Sequence, residues 1–331
     1  MRVGKRSVAA SAEVTGFVKA LAGRVEENHI GVLEQPPEQV IGTIQDLGMT
    51  PAEYFVLDGR LNDVKVFDNL GNYEQTFGGA GGGPGEFAVP RSLAFASPDT
   101  VYVADEARKI HRFVRADGKW IFDRAIATAF FVHDLCVLRG DLIVLGVSAG
   151  QADAIHRLTM DGEQLGSFGV PYRTDNFDIR TEVSDGQLVC ADEENAVFVA
   201  FNLIPEVHKY SSDGAVLWIS RIQDYEPILM LEPLDGFPIM GLDPERKAMS
   251  TLLRFVRAED GPLVLQIALQ DPESIRNEAM YALLDTYAID PRTGAGRYIG
   301  ADLPPVGGIV GSRMLTYVDE PFPQLTLFRL R

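Results

Sequence analysis

The sequence predicts an all-β fold, a six-bladed β-propeller, and three observations lead to it. From residue 41 onward, runs of five to eight apolar residues are broken by Gly, Asp, Asn or Pro, as in short strands joined by tight turns. A strand–turn–strand motif recurs with its turn glycine at Gly71, Gly118, Gly162 and Gly214, at spacings of 47, 44 and 52 residues. That period matches a four-stranded propeller blade, and 331 residues accommodate six of them.

The repeats place the six blades along the chain, at residues 40–78, 88–127, 130–169, 180–222, 249–305 and 306–331. A weaker copy has its glycine, Gly294, 80 residues after Gly214, so blade 5 is expected to carry an insertion. The last blade holds only two or three strands, and residues 24–34 are placed to complete it. Closure by an N-terminal strand removes exposed sheet edges, so the propeller is predicted to span residues 24–331.

One stretch resembles a known family of propellers. Residues 77–113 read FGGAGGGPGEFAVPRSLAFASPDTVYVADEARKIHRF, with Gly-Pro-Gly-Glu-Phe at 83–87, Pro90 and a Val-Ala-Asp strand end at 103–105. These features are similar to an NHL repeat of bacterial six-bladed β-propellers. The resemblance is close in blade 2, extends over about residues 55–170 and is weak beyond residue 220. It implies the fold and leaves the function open, because propellers serve many unrelated activities.

Residues 1–23 are predicted to form a basic amphipathic arm. Val14, Phe17, Val18 and Leu21 recur at the spacing of a one-sided helix. Because residues 24–34 already close the propeller, this helix is expected to pack against a partner protein or an anionic membrane surface. The alternatives are a frayed terminus and docking on the chain's own acidic propeller.

Composition and charge exclude several classes of protein. With 46% hydrophobic residues the chain can build a sizeable core, which disfavours disorder. The formal net charge of −17 repels phosphate backbones, so no nucleic-acid partner is expected. No apolar run is long enough for a transmembrane span or a cleavable signal peptide. The protein is therefore expected on the cytoplasmic side, peripheral to a membrane.

Familiar catalytic motifs do not occur in the sequence. The glycine-rich run at 78–85 lacks the Lys-Ser/Thr pair of a phosphate loop, and no Gly-x-Ser-x-Gly turn occurs. Cys136 and Cys190 lie in apolar strands and are predicted to be small core residues. No catalytic residue and no cofactor are assigned.

The histidines divide into two groups. His111, His156 and His208 occupy equivalent third-strand positions, and each is expected to pack or hydrogen-bond within its own blade. His133 begins an innermost strand beside Asp134 and is the candidate for a metal or acid–base role in the central channel. Since neighbouring strand residues point to opposite faces, only one of this pair is expected to line the channel.

Residues 223–249 interrupt the blade pattern with four prolines and many apolar residues. Leu229, Leu231 and Phe237 are predicted to form a partner-binding patch there. The alternative is an irregular strand of blade 5.

The leading hypothesis is a non-catalytic propeller that binds other proteins, as an accessory or scaffold subunit of a larger, membrane-associated assembly. The absent catalytic motifs, the basic arm and the apolar segment favour it. The alternative is a metal-dependent hydrolase or lyase, lactonase-like, with its site in the central channel. That alternative implies a divalent cation.

Overall fold

The chain forms a six-bladed β-propeller, as predicted. The computed structural model describes residues 1–5, 11–31, 36–148, 150–170, 172–231, 239–241, 245, 248–259, 261–277, 281–319 and 321–331. The first elements are β1 (Arg2–Val3), α1 (Ala12–Ala22), β2 (Val25–Ile30) and the 3-10 helix η1 (Pro37–Gln39).

Each blade contains four antiparallel strands, the first of which in chain order within the blade lies innermost, and the sheet of blade 4 gains β1 as a fifth strand. Blade 1 contains β3 (Ile44–Met49), β4 (Glu53–Asp58), β5 (Asp63–Asp68) and β6 (Tyr73–Gly78). Blade 2 contains β7 (Pro90–Ser97), β8 (Thr100–Asp105), β9 (Lys109–Ala116) and β10 (Lys119–Ala127). Blade 3 contains β11 (Phe131–Leu138), β12 (Asp141–Val147), β13 (Ile155–Thr159) and β14 (Gln164–Phe168). Blade 4 follows α2 (Phe177–Ser184) and contains β15 (Gly186–Ala191), β16 (Ala196–Phe201), β17 (Glu206–Ser211) and β18 (Val216–Ile222).

The second half of the ring contains the predicted insertion. A hairpin of β19 (Leu229–Leu231) and β20 (Ile239–Gly241) precedes blade 5, and α3 (Pro272–Arg276) separates the second and third strands of that blade. Blade 5 contains β21 (Met249–Arg257), β22 (Leu263–Gln270), β23 (Leu283–Ile289) and β24 (Gly296–Gly300). Blade 6 contains β25 (Val306–Val310), β26 (Arg313–Val318) and β27 (Gln324–Arg329). Strand β2 pairs with β27 as the outermost strand of blade 6, so the predicted N-terminal closure is confirmed.

The turn glycines have the backbone conformation that the hairpins require. Gly118 and Gly162 have φ angles of 75° and 95°, a region that residues with a Cβ rarely adopt. At Gly162 a Cβ would also lie 2.3 Å from Ile126 of the neighbouring blade. The repeat that identified the blades in the sequence is therefore a repeat of turn geometry.

The N-terminal arm packs on this chain, which corrects the prediction of an external surface. Val14 and Leu21 are 0% and 2% exposed, while Phe17 and Val18 are half-buried. Leu21 belongs to an apolar cluster of blades 5 and 6, and Phe17 packs against that cluster. Although closure by β2 leaves no blade edge for a further strand, α1 contacts β23 and β24 of blade 5.

Residues 1–5 also pack on the propeller. Strand β1 pairs in parallel with the end of β18, and Val3 is fully buried. Lys5 forms an ion pair with Asp285 of blade 5 at 2.6 Å. The arm thus connects blades 4, 5 and 6.

Two other predictions have different outcomes. Phe237 and the side chains of Leu229 and Leu231 lie outside the described residues, so the apolar patch remains a prediction. Cys136 and Cys190 pack against an apolar cluster of blades 3 and 4. They also form a disulfide between these blades, which the sequence did not predict. Among the described residues, no helix has the length and apolarity to cross a membrane.

Candidate functional site

The innermost strands enclose a central channel with a cavity of about 670 Å³. Residues from all six blades line it, because each blade contributes its first strand. Strand β25 of blade 6 contacts β3 of blade 1, so the ring is continuous around the channel.

A β-bulge recurs at the same place in the innermost strands. In five of the six, the register with the second strand shifts by one residue, and the extra residues are Gln45, Arg91, His133, Leu253 and Gly307. A bulge breaks strict alternation and redirects side chains. His133 and Asp134 both line the cavity for this reason, which corrects the expectation that only one of them does.

At the level of the bulges, polar side chains of the innermost strands line the channel, and four of them hydrogen-bond to a neighbouring blade. We call this set, together with Ser92, the inner tier: Asp46, Ser92, Asp134, Gln187 and Arg254. The Asp46 carboxylate accepts a hydrogen bond from the backbone N–H of Leu93 in blade 2, at 2.9 Å. The Asp134 carboxyl accepts one from the N–H of Leu188 in blade 4, at 2.6 Å.

The inner tier continues through the other blades. The Gln187 amide oxygen accepts a hydrogen bond from the N–H of Phe255 in blade 5, at 2.7 Å. Arg254 donates from Nε to the carbonyl oxygen of Val306 in blade 6 and from Nη2 to Asp46 in blade 1, both at 3.1 Å. These bonds fasten neighbouring blades to each other at the axis.

Asp134 is the most perturbed carboxyl group in this tier. Its burial, together with the charge of Asp46, raises its pKa to about 7. Burial disfavours the charged form, and a nearby like charge acts in the same direction. The inner tier therefore contains a carboxyl group that titrates near neutral pH.

The second polar group lies where the channel opens beside blades 2, 3 and 4. We call it the mouth cluster: Arg91, Glu106, His133, Asp185 and Asn202. His133 is only 6% exposed, and among the described residues neither of its ring nitrogens has a hydrogen-bond partner. Its Nδ1 lies 3.6 Å from the nearer Asp185 oxygen, beyond hydrogen-bond distance. A buried polar group without a partner is costly and calls for an explanation.

In contrast, Asp185 is held firmly. Helix α2 ends immediately before it, and its own carboxylate accepts the N–H of Gly186 at 2.8 Å. Asn202 donates from Nδ2 to Oδ2 at 2.8 Å, and Arg91 approaches the same oxygen at 3.3 Å. The carboxylate is thus oriented beside His133 without being bonded to it.

Burial also controls the charge of His133. It lowers the pKa of the imidazole, with a further lowering by Arg91 and an opposing effect of Asp185 and Glu106. At neutral pH the ring is neutral, so one nitrogen can accept and the other can donate a hydrogen bond.

Negative charge predominates around the mouth cluster. Burial raises the pKa of Glu182 on α2, and the charges of Asp185, Glu106 and Asp178 raise it further. Among the described residues that act electrostatically on His133, Arg91 is the only cation. The mouth therefore has a surplus of carboxylates.

The remaining blade histidines stay in their own blades, as predicted. The His156 ring stacks on Phe130 with 3.8 Å between centroids, and Nε2 lies 3.2 Å from the Gly146 carbonyl oxygen. His208 lies 2.9 Å from the hydroxyl of Tyr210, and His111 lies beside Asp105. These three residues do not converge on a common site. Among the described residues, no group of His, Cys, Asp and Glu side chains is arranged to hold a metal ion.

The sequence singles out His133 but not the three neighbours that the structure gathers around it. These are Arg91, Asp185 and Asn202. Aligning the blades on their bulges would have placed Arg91 and His133 at equivalent positions. Asn202 links the end of a second strand to the residue before the first strand, as Asp105 does in blade 2.

Comparisons with known proteins agree with the fold. A family model, DUF5128, described as a 6-bladed beta-propeller, matches residues 32–141. No curated protein sequence matches the chain.

Several solved structures share the architecture at low sequence identity. A Bacteroides fragilis protein, named as a candidate exported protein, is 9% identical, with a TM-score of 0.61. The match covers 100% of this chain and 99% of that one. A member of the duf4221 family from Bacteroides vulgatus is 9% identical, with a TM-score of 0.59 and coverage of 93% and 98%. Virginiamycin B lyase from Staphylococcus aureus is 10% identical, with a TM-score of 0.51 and coverage of 92% and 99%. At these identities the likeness concerns the fold alone.

Proposed function

We propose that the protein binds a small, positively charged organic ligand at the mouth of its central channel. The observation that carries this proposal is His133, a buried and neutral imidazole with two unpartnered nitrogens beside the oriented carboxylate of Asp185. A ligand that satisfies the imidazole would remove the cost of leaving it unpaired.

The charge of the ligand follows from the surroundings of His133. A protonated amine donates hydrogen bonds, and the neutral imidazole offers one acceptor nitrogen for them. Asp185 lies within reach as a counter-ion, and Glu106 and Glu182 add to the negative potential. The cavity of about 670 Å³ falls within the size range of small-molecule sites.

The sequence also suggested a metal-dependent enzyme, but the described residues provide no metal-holding cluster. In this proposal the imidazole of His133 and the carboxylate of Asp185 instead contact an organic cation directly. A His–Asp pair can also move a proton, so the same geometry supports acid–base chemistry on a bound amine.

The test uses ethylammonium, tetramethylammonium and acetate as probes and the ring ¹⁵N resonances of His133 as the readout. Disappearance of a signal in His133→Gln assigns it. Ethylammonium at up to about 100 mM, a range that captures millimolar affinity, should shift the His133 signals. Tetramethylammonium has no N–H donor and should shift them less. Acetate should have no effect.

Matched variants separate specific binding from general charge effects. Asp185→Asn should abolish the ethylammonium response, whereas Asp161→Asn, which removes a carboxylate 68% exposed on the outer surface, should preserve it. An equal response to acetate, or an unchanged response in Asp185→Asn, would refute the proposal.

A protein-binding role is kept as a second candidate, with a different surface. The arm no longer favours it, but the outer edge of blade 4 does. Val216, Leu217 and Ile219 of β18 are 55%, 52% and 37% exposed. Strand β1 pairs with Arg221 and Ile222, and the amine of Met1 donates to the Ile219 carbonyl oxygen, so the described N-terminal residues leave the edge at Val216 and Leu217 uncovered. We infer that an extended apolar segment of a partner protein pairs with the rest of this edge.

The edge can be tested in the native assembly. Leu217→Lys should remove a protein that co-purifies with the chain from its source. Val318→Lys, which alters an exposed apolar residue of blade 6, should not remove it. Retention of the same partner by Leu217→Lys would exclude the edge as the docking surface.

The disulfide changes the expected location. Disulfides persist in oxidising compartments and are rare in the cytosol, so we propose that the protein works outside the cytoplasm. One of the similar structures also bears a name that suggests export. Thiol trapping in intact cells followed by mass spectrometry should find Cys136 and Cys190 oxidised. Free thiols there would favour the original cytoplasmic expectation.

A further inference from the structure

We propose that the Cys136–Cys190 disulfide positions the mouth cluster, so that His133 and Asp185 keep their relative placement only while the two cysteines are oxidised. Cys136 and Cys190 are therefore positioning residues, and they act through β11 and β15, the strands on which they lie. The biological meaning of this device rests on the proposed ligand site, but its geometry does not.

The disulfide joins the two strands that hold the pair. Cys136 lies on β11, three residues after His133, and Cys190 lies on β15, which begins directly after Asp185. These strands belong to different blades, and within the described structure no strand pairing connects them. The hydrogen bond from the Leu188 N–H to Asp134 is a further link between them. A covalent bond here therefore fixes the distance between two strands that otherwise meet only through side-chain packing and a few hydrogen bonds.

The placement of His133 depends on that contact. Its burial and the 3.6 Å separation from Asp185 both require β11 to remain close to β15. If the strands separate at this end of the channel, water reaches the imidazole and the carboxylate moves away. The burial of His133 and the lowering of its pKa should then be lost, although the residue itself is unchanged.

The disulfide is also within reach of small reagents. Both cysteines are half-buried and line the channel cavity. A thiolate of a small dithiol reductant can attack one sulfur, release the other cysteine as a thiol and form a mixed disulfide. Its second thiol then attacks the mixed disulfide. Two electrons pass to the protein, which gains two thiols, while the dithiol becomes a cyclic disulfide.

The experiment measures the pKa of each histidine by NMR in the full chain, before and after treatment with dithiothreitol, with reduction verified by mass spectrometry. In the oxidised protein His133 should titrate below its ordinary value. After reduction its pKa should rise by about 0.5 unit or more, because burial is the main cause of the shift. His156, stacked within blade 3 away from β15, is the internal control and should not change. Reoxidation should restore the original value.

The double variant Cys136→Ala/Cys190→Ala should resemble the reduced protein and should not respond to dithiothreitol. An unchanged His133 titration in protein shown to be reduced would overturn the proposal. Global unfolding on reduction, seen as a simultaneous shift of His156 and loss of β-sheet circular dichroism, would also overturn it, because the disulfide would then be a general staple. None of these readouts uses a ligand, so a failure of the ligand proposal remains distinguishable.

Discussion

The inner tier and the mouth cluster are built on the same innermost strands, a few residues apart, yet they use polar side chains in opposite ways. In the inner tier, Asp46, Gln187 and Arg254 all bond to the next blade. In the mouth cluster, His133 is buried and bonds to nothing among the described residues. The comparison indicates which polar groups a propeller needs for its own assembly and which remain for other molecules.

The two regions also differ in the sign of their pH dependence. Asp134 has a raised pKa, so its folded state holds a proton that the unfolded state has lost, and its contribution to stability declines as pH rises from about 4 to 7. His133 has a lowered pKa, so its contribution declines as pH falls below about 6.5. Measurements of stability against pH can therefore distinguish the contribution of Asp134 from that of His133.

The largest effect is expected from Arg254→Leu. This change leaves the Asp46 carboxylate without its buried partner and removes a bond to blade 6. It should lower the free energy of unfolding by about 3 kcal/mol, as in other broken buried ion pairs, measured by urea denaturation at pH 7. The control Arg124→Leu removes an exposed ion pair, which water screens, and should leave the free energy of unfolding almost unchanged. Equal costs would contradict a structural role for the inner tier.

Gln187→Ala should have the next largest effect. The variant loses the acceptor for the Phe255 N–H and the donor to the Leu253 carbonyl oxygen, both between blades 4 and 5. A loss of about 1–3 kcal/mol is expected from unsatisfied buried groups. A stability equal to that of the original protein would show that water replaces these bonds, and the inner tier would then be less essential than proposed.

Asp134→Asn should change the pH profile more than the stability at its optimum. The asparagine oxygen can still accept the Leu188 N–H, but the side chain no longer titrates. Melting temperatures measured between pH 5 and 8 should decline less with rising pH than those of the original protein. If the two profiles are parallel, Asp134 is not the group that titrates in this range.

The smallest effect on stability is expected from His133→Gln. Since His133 makes no hydrogen bond among the described residues, its replacement should change the free energy of unfolding at pH 7.5 by less than about 1 kcal/mol. The decline in stability on acidification from pH 6.5 should become shallower. A loss as large as that of Arg254→Leu would mean that His133 belongs to the structural set, and the distinction between the two regions would fail.

The sequence allowed the blades to be located closely, because their turns depend on local chemistry. A glycine such as Gly118 marks a hairpin through its own φ angle, whatever surrounds it. The mouth cluster depends instead on which blades adjoin, and Asn202 and Arg91 meet Asp185 only after the ring has formed. The position of α1 could not be derived either, because the cluster that receives Leu21 comes from blades 5 and 6.

The closing strand has a consequence for the order in which the molecule folds. His29 of β2 and Thr326 of β27 make contact although they are 297 positions apart in the sequence. Contacts of such long sequence separation form late and slow the search for the native state. Until β27 is available, β2 has no partner and blade 6 is incomplete. The ring is thus expected to close as a final step of folding, and a chain interrupted before that step would expose an unpaired strand to aggregation.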